Sequence, residues 1–308
     1  MVVETAWHSF SIYFHNPHLT ETFIGEVVRS LTIELTHCPF FFVRLLEESP
    51  VIKFRVKTKD KSKISNLILK HLWNYPSGLI SKEEYFLRYR PGLNPDIWIP
   101  HGTLKESNYT PEYERYGGKE IMEMIERSFF YSSAIIGKAY ENSLNWKQKI
   151  NISYHINKVL FDQLNFEQTT KNSYLEYVGD TWLNYSKSTF LHMNKEQLMK
   201  IAKSSLNSKD QILRFDKTLI DEEYLFKYRK CAEKIKTNLL KIKPNLLETP
   251  QHSVELSILL RTCDDIYTPL LIISLVHMNN NRLGIFPHSE AALYYIFSNL
   301  EGGRFLHD

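Results

Sequence analysis

Three stretches of this 308-residue chain carry polar groups in patterns that could do chemistry. One is "VIKFRVK", where Lys53, Arg55 and Lys57 alternate with apolar residues. Another is "YTPEYERYGG", where Arg115 sits between Tyr113 and Tyr116 and a glycine pair follows. The third is "LVHMNNNRLGI", which holds His277 and Arg282. Arginine keeps its charge and offers a planar fork that fits a carboxylate or phosphate. Histidine moves protons near neutrality. Each stretch also has a plain structural reading. A strand with alternating cations usually presents a solvated face. "ERYGG" reads as a turn, since paired glycines take backbone conformations barred to other residues. His277 and Arg282 at the end of an apolar run read as a core histidine and a helix-end cap.

The elements around these stretches set where they lie. "WHSFSIYFHN" alternates and predicts a strand. "HLTETFIGEVVRSLTIEL" puts Phe23, Ile24, Val27, Val28 and Leu31 on one helical face. "PFFFVRLLEE" and "VIKFRVKTK" predict two strands joined by a short link. In the second, Ile52, Phe54 and Val56 face a core and the basic set lines the other face. "DKSKISNLILKHLWNYP" is a second helix. Residues 78–116 are rich in Pro, Gly, Asn and Tyr and read as a long loop or short strands. A helix begins near Lys119, and its first N–H groups could meet an anion held by Arg115. Beyond it the chain is mostly helical, with helices over "NWKQKINISYHINKVLFDQL", "NKEQLMKIAKSSL", "DEEYLFKYRKCAEKIKTNLLKI" and "HSEAALYYIFSNL". Pro244 and Pro250 bracket a turn. Thr268-Pro269 predicts a helix start with Thr268 as the cap, and that helix stops near Asn279 to Asn281. The expected class is α+β: an N-terminal mixed sheet packed with helices, then a mostly helical C-terminal half, as one domain over residues 1–308.

Composition narrows the function classes. At 43% hydrophobic residues the chain can bury a large core. A net charge of +3 gives no global case for nucleic-acid binding. Cys38, Cys231 and Cys263 are few and far apart and lack metal spacing, which predicts reduced thiols in a cytoplasmic protein. No P-loop, dinucleotide fingerprint, HExxH or GxSxG occurs. No metal, redox cofactor, signal peptide or membrane span is expected.

Taken in order, the motifs resemble the C-terminal domain of lantibiotic dehydratases, also found as a free-standing thiopeptide-type bacteriocin biosynthesis protein. The features are an aromatic strand with "YFHNP" and a following Ile24-Gly25, the double strand "FFFVRLLEESPVIKFR", "YTPEYERYGG" with the later "FFYSS", and "HMNNNRLGI". They run through the whole chain, which is too short for the large glutamylation domain. The resemblance implies elimination of glutamate from glutamylated Ser or Thr of a precursor peptide, leaving dehydroalanine or dehydrobutyrine. It further implies that Arg55 and Arg115 contact the glutamate, that His277 transfers a proton, and that Lys53 and Arg282 assist binding. Implied partners are a leader-bearing precursor peptide and a separate tRNA-dependent glutamylating subunit, without direct nucleic-acid binding. A homodimer is compatible with this arrangement.

Two departures matter. Val51 stands where the family often has histidine, and Lys53 where it has arginine. Lysine keeps the charge and loses the bidentate fork. Ser132 and Ser133 match a family signature, and their small size explains them equally well through packing. The competing readings are a pyridine synthase, which joins two dehydroamino acids, and a non-catalytic peptide-binding subunit. Elimination predicts that Arg55, Arg115 and His277 line one cleft.

Overall fold

A computed structural model describes residues 5–34, 38–89, 97–189, 195–242 and 265–302. Cys263 and the expected turn at Pro244 and Pro250 lie outside these residues. The chain forms two compact units: a sheet unit of residues 1–111, 129–144 and 217–224, and a helical unit of residues 112–128, 145–216 and 225–308. The class is the α+β one expected.

The sheet unit follows the order β1 (Ala6–Tyr13), α1 (Thr20–Glu34), β2 (Phe40–Leu46), β3 (Pro50–Thr58), α2 (Lys61–Leu72), α3 (Lys82–Tyr89) and β4 (Leu104–Asn108). Its four strands lie in the order β2-β3-β1-β4. This is a double split βαβ arrangement: β3 lies between β1 and β2, and β1 between β3 and β4. All three pairings are antiparallel, so neighbouring strands alternate in direction throughout, where a mixed sheet is expected. The stretch expected as a loop or short strands contains α3 as well as β4.

The period-2 pattern of β3 holds. Ile52, Phe54 and Val56 are at most 3% exposed, while Lys53, Arg55 and Lys57 are partly exposed on the other face. Phe10, Phe42 and Phe54 pair across the strands and join the first set. Helix α1 adds Phe23, Ile24, Val27, Val28 and Leu31, the stripe its spacing predicts. A polar chain ties α1 to α2: Ser30 Oγ meets His71 Nε2 at 2.8 Å, and His71 Nδ1 lies 3.3 Å from Glu26 Oε2.

Helix α4 (Lys119–Ala139) begins in the helical unit and contributes its second half to the sheet unit. It meets α1 at two glycines. A Cβ on Gly137 would lie 2.4 Å from Val28 Cγ1, and one on Gly25 would lie 3.0 Å from the Tyr140 carbonyl. Ser133, fully buried on α4, accepts a 3.3 Å hydrogen bond from the Phe42 N–H on the outer side of β2. Ser132 donates to Phe129 O. Both serines are therefore packing residues at this crossing.

The helical unit contains α5 (Trp146–Phe161), α6 (Gln168–Thr189), α7 (Lys195–Leu206), α8 (Lys209–Leu213), the greater part of α9 (Glu222–Ile242), α10 (Tyr267–Arg282) and α11 (Pro287–Gly302). Helix α6 is absent from the helices expected. Its Thr, Asn, Ser and Gly content lowers intrinsic propensity. Burial of Tyr174, Leu175, Val178, Trp182 and Leu183 stabilises it instead.

Helix α10 corrects two expectations. Thr268 is not its cap; Asp265 Oδ1 accepts from the N–H groups of Tyr267 and Thr268, each at 3.0 Å. The helix also runs through the asparagines to Arg282. Asn279 and Asn280 are buried inside it, at 1% and 0% exposure. Asn280 Oδ1 accepts from Ser153 Oγ at 2.7 Å and from Asn157 Nδ2 at 3.1 Å. Asn279 Nδ2 donates to Asn157 Oδ1 and to Tyr228 OH. This network lets polar residues occupy a core, because most of its groups pair with one another; Asn280 Nδ2 has no hydrogen-bond partner among the described residues.

Candidate functional site

The "YERYGG" stretch does form a turn. Gly117 and Gly118 have φ of 86° and 106°, the left-handed region that favours glycine. The Gly118 N–H closes the turn onto Tyr113 O at 2.8 Å, and α4 starts at Lys119 as expected. The turn presents Arg115, whose guanidinium lies 3.2 Å from Glu112 Oε2 and 5.5 Å from the Tyr116 ring centroid. Burial disfavours the Arg115 charge, yet Tyr116, Glu112 and Glu290 outweigh it and hold its pKa above the ordinary value. Arg115 and Glu290 both belong to the helical unit.

Glu290 also faces His277. His277 sits in the third turn of α10 and Glu290 in the first turn of α11, joined by "RLGIFP". Gly284, at φ 67°, ends α10 in a Schellman motif: its N–H reaches Asn281 O, and the Ile285 N–H reaches Asn280 O. Pro287 then opens α11, where its missing N–H is no loss. The tight reversal sets His277 Nδ1 2.8 Å from Glu290 Oε2. The Glu290 side chain is fully buried, and the His277 side chain keeps 21% exposure. Trp182 on α6 stacks on the imidazole at 4.6 Å with 21° between planes. Gly179, one turn earlier on α6, allows that approach, since a Cβ there would lie 3.3 Å from Tyr294 Cβ on α11.

Arg282 has another role. It is fully buried and donates from Nη1 to Met278 O at 3.1 Å, the helix-end contact that is its plain reading.

In the sheet unit, Arg55 lies on the basic face, opposite Ser9 of β1 and Phe41 of β2. Its guanidinium carbon stands 4.9 Å from the Tyr109 ring centroid and 5.3 Å from that of Phe41. Trp7 completes the aromatic wall, 5.2 Å from Phe41 and 5.7 Å from Tyr109. Cation–π contact holds such a cation without neutralising it. Arg55 Nε is buried and has no hydrogen-bond partner among the described residues. Lys53, two residues away, is engaged: its ammonium lies 2.6 Å from Glu47 Oε1.

Arg115 and His277 thus lie in the helical unit, His277 against Glu290, while Arg55 and Lys53 lie in the sheet unit. Glu290 and Trp182 escape sequence reasoning. A glutamate in a first helical turn reads as a dipole partner, and Trp182 belongs to the helix whose weak propensity hid it. The "RLGIFP" punctuation between two apolar helices was the available signal, because it implies a tight antiparallel pair.

A structure search returns folds of this shape. A pyridine synthase, TbtD, from thiomuracin biosynthesis superposes with a TM-score of 0.64 at 12% identity, covering 96% of this chain and 97% of that one. TsrL gives 0.55 at 11% identity, with 96% and 94% covered. The tRNA dependent lantibiotic dehydratase MibB from Microbispora sp. 107891 gives 0.52 at 14% identity; 97% of this chain aligns with 28% of that protein. At these identities the likeness is one of fold. No curated protein matches the chain by sequence. A profile of the family described as lantibiotic biosynthesis dehydratase, C-terminal, matches residues 7–300. With nearly its whole length matched, the chain belongs to that family.

Proposed function

We propose that the protein eliminates glutamate from glutamylated Ser or Thr side chains of a ribosomal precursor peptide in lantibiotic or thiopeptide biosynthesis. The observation that carries this reading is the 2.8 Å contact of His277 Nδ1 with the buried Glu290 carboxylate, in the unit that also holds Arg115. Elimination needs a base for the α-proton and cations for the departing carboxylate. His277 supplies the first and Arg115 the second. Arg55 is assigned to the glutamate by its match to the family motif, and its unpaired Nε supports that role. The aromatic wall suits it, since it leaves the guanidinium charge available. Arg282 is left as a structural residue. The peptide is glutamylated by a separate subunit, and the setting is cytoplasmic.

The test is mass spectrometry of a glutamylated precursor peptide incubated with the protein. The expected result is loss of one glutamic acid per modified residue. His277→Ala lowers the rate by about 10²–10⁴-fold, and Arg115→Ala by about ten- to a hundred-fold. An unchanged peptide overturns the reading for that peptide. Ring formation with leader release from a peptide that already carries dehydroamino acids assigns pyridine synthesis instead. Binding without conversion assigns an accessory role.

A further inference from the structure

We infer that Glu290 is a positioning residue: it fixes His277 in the tautomer that leaves Nε2 as the proton-accepting atom. Three observations carry this. The Nδ1–Oε2 distance of 2.8 Å is a strong hydrogen bond, and an ionised carboxylate can only accept, so Nδ1 carries the proton. Trp182 clamps the ring plane at 21°, so the imidazole cannot rotate out of line with Glu290. Nε2 has no hydrogen-bond partner among the described residues, and the side chain keeps 21% exposure.

Glu290 is itself held tightly. It is 0% exposed, it lies in the first turn of α11, and the Gly284 reversal dictates its distance from α10. A buried carboxylate without a partner is strongly destabilising; here the imidazole is the partner of Oε2, while Oε1 is buried with no hydrogen-bond partner among the described residues. The same logic, a buried acid orienting a histidine through Nδ1–H, governs the hydrolytic triads and the histidine ligands of metal sites.

The chemical consequence rests on the elimination reading. Nε2 takes the α-proton of the glutamylated residue. The C–H electron pair becomes the Cα=Cβ double bond, and the Cβ–O bond breaks with its electrons leaving on the glutamate carboxylate. His277 becomes an imidazolium stabilised by Glu290 and later returns the proton to water. His277 therefore acts as the base, and Glu290 touches no reacting atom.

The test separates the two claims. Histidine ¹⁵N chemical shifts of the full chain are recorded for wild type and for Glu290→Gln, alongside elimination kinetics. The expected wild-type signal is a neutral His277 ring protonated on Nδ1, the opposite of the tautomer a free histidine prefers. In Glu290→Gln the side-chain amide donates to Nδ1, so the ring becomes protonated on Nε2, and kcat falls by about 10²–10⁴-fold with KM little changed. A wild-type ring protonated on Nε2 overturns the inference, and that measurement needs no variant to fold. An unchanged tautomer in a folded Glu290→Gln also overturns it. The predicted tautomer and its reversal in a protein that never eliminates glutamate uphold the positioning role and overturn the elimination reading.

Discussion

The two units place polar residues in opposite ways. In the sheet unit the cations stand on a partly exposed face: Lys53, Arg55 and Lys57 alternate with buried Ile52, Phe54 and Val56. In the helical unit Asn157, Asn279, Asn280, Arg282 and Glu290 are all at most 1% exposed. A strand sorts residues by parity, so chemistry can be displayed on one side with little effect on packing. A helical core has no spare face. Polar groups inside it depend on one another for partners, and His277 inherits its geometry from that packing. The difference predicts that equal-sized changes are felt very unequally.

The largest stability effect is expected from Asn280→Leu. It leaves the Ser153 hydroxyl without its acceptor and takes one of two acceptors from Asn157 Nδ2, which keeps Ser153 Oγ at 3.0 Å, so chemical denaturation should show a loss of about 1–3 kcal/mol. A loss under about 1 kcal/mol would break the contrast.

His15 is a buried ionisable residue of the sheet unit. Its ring is 3% exposed, and burial, with His101 nearby, lowers its pKa from 6.5 to about 4. The unfolded chain therefore binds the proton more readily than the folded one. Stability attributable to His15 is complete above pH 6.5 and falls as pH drops towards 4, by up to about 3 kcal/mol. Thermal melts across that window should show the decline, and His15→Leu should flatten it.

Gly137→Ala probes packing. Its new Cβ would sit 2.4–2.7 Å from the Val28 side chain, and the overpacking should cost about 1–3 kcal/mol. A companion Val28→Ala should recover part of the loss.

The smallest effect is expected on the partly exposed face. Lys53→Ala removes a partly exposed pair with Glu47, worth about 0.2–1 kcal/mol. A melt shift larger than that of Gly137→Ala would mean that the basic face is structural.

Legibility follows the same division. The alternation of β3, the α1 stripe, the turn at Gly117-Gly118 and the start of α4 could all be read, because each depends on neighbours in sequence. The family motifs carried Arg55, Arg115 and His277. Helix α6 could not be read, since its stability comes from buried Tyr174, Val178 and Trp182 rather than from propensity. Nor could Glu290, whose meaning appears only once Gly284 turns α11 back onto α10. The three asparagines were misread for a related reason. Asparagine favours helix ends locally, and only the partners from α5 and α9 explain two of them in a helix interior.

The borders of the sheet carry one more consequence. On β2, Ser133 of α4 takes up the outward N–H of Phe42, so that border is partly covered. β4 lies at the opposite border, and Lys105, Glu106, Ser107 and Asn108 are all exposed there. Runaway stacking of chains through that border would have to start on a five-residue strand bearing charges of both signs, a short and poorly adhesive template for aggregation.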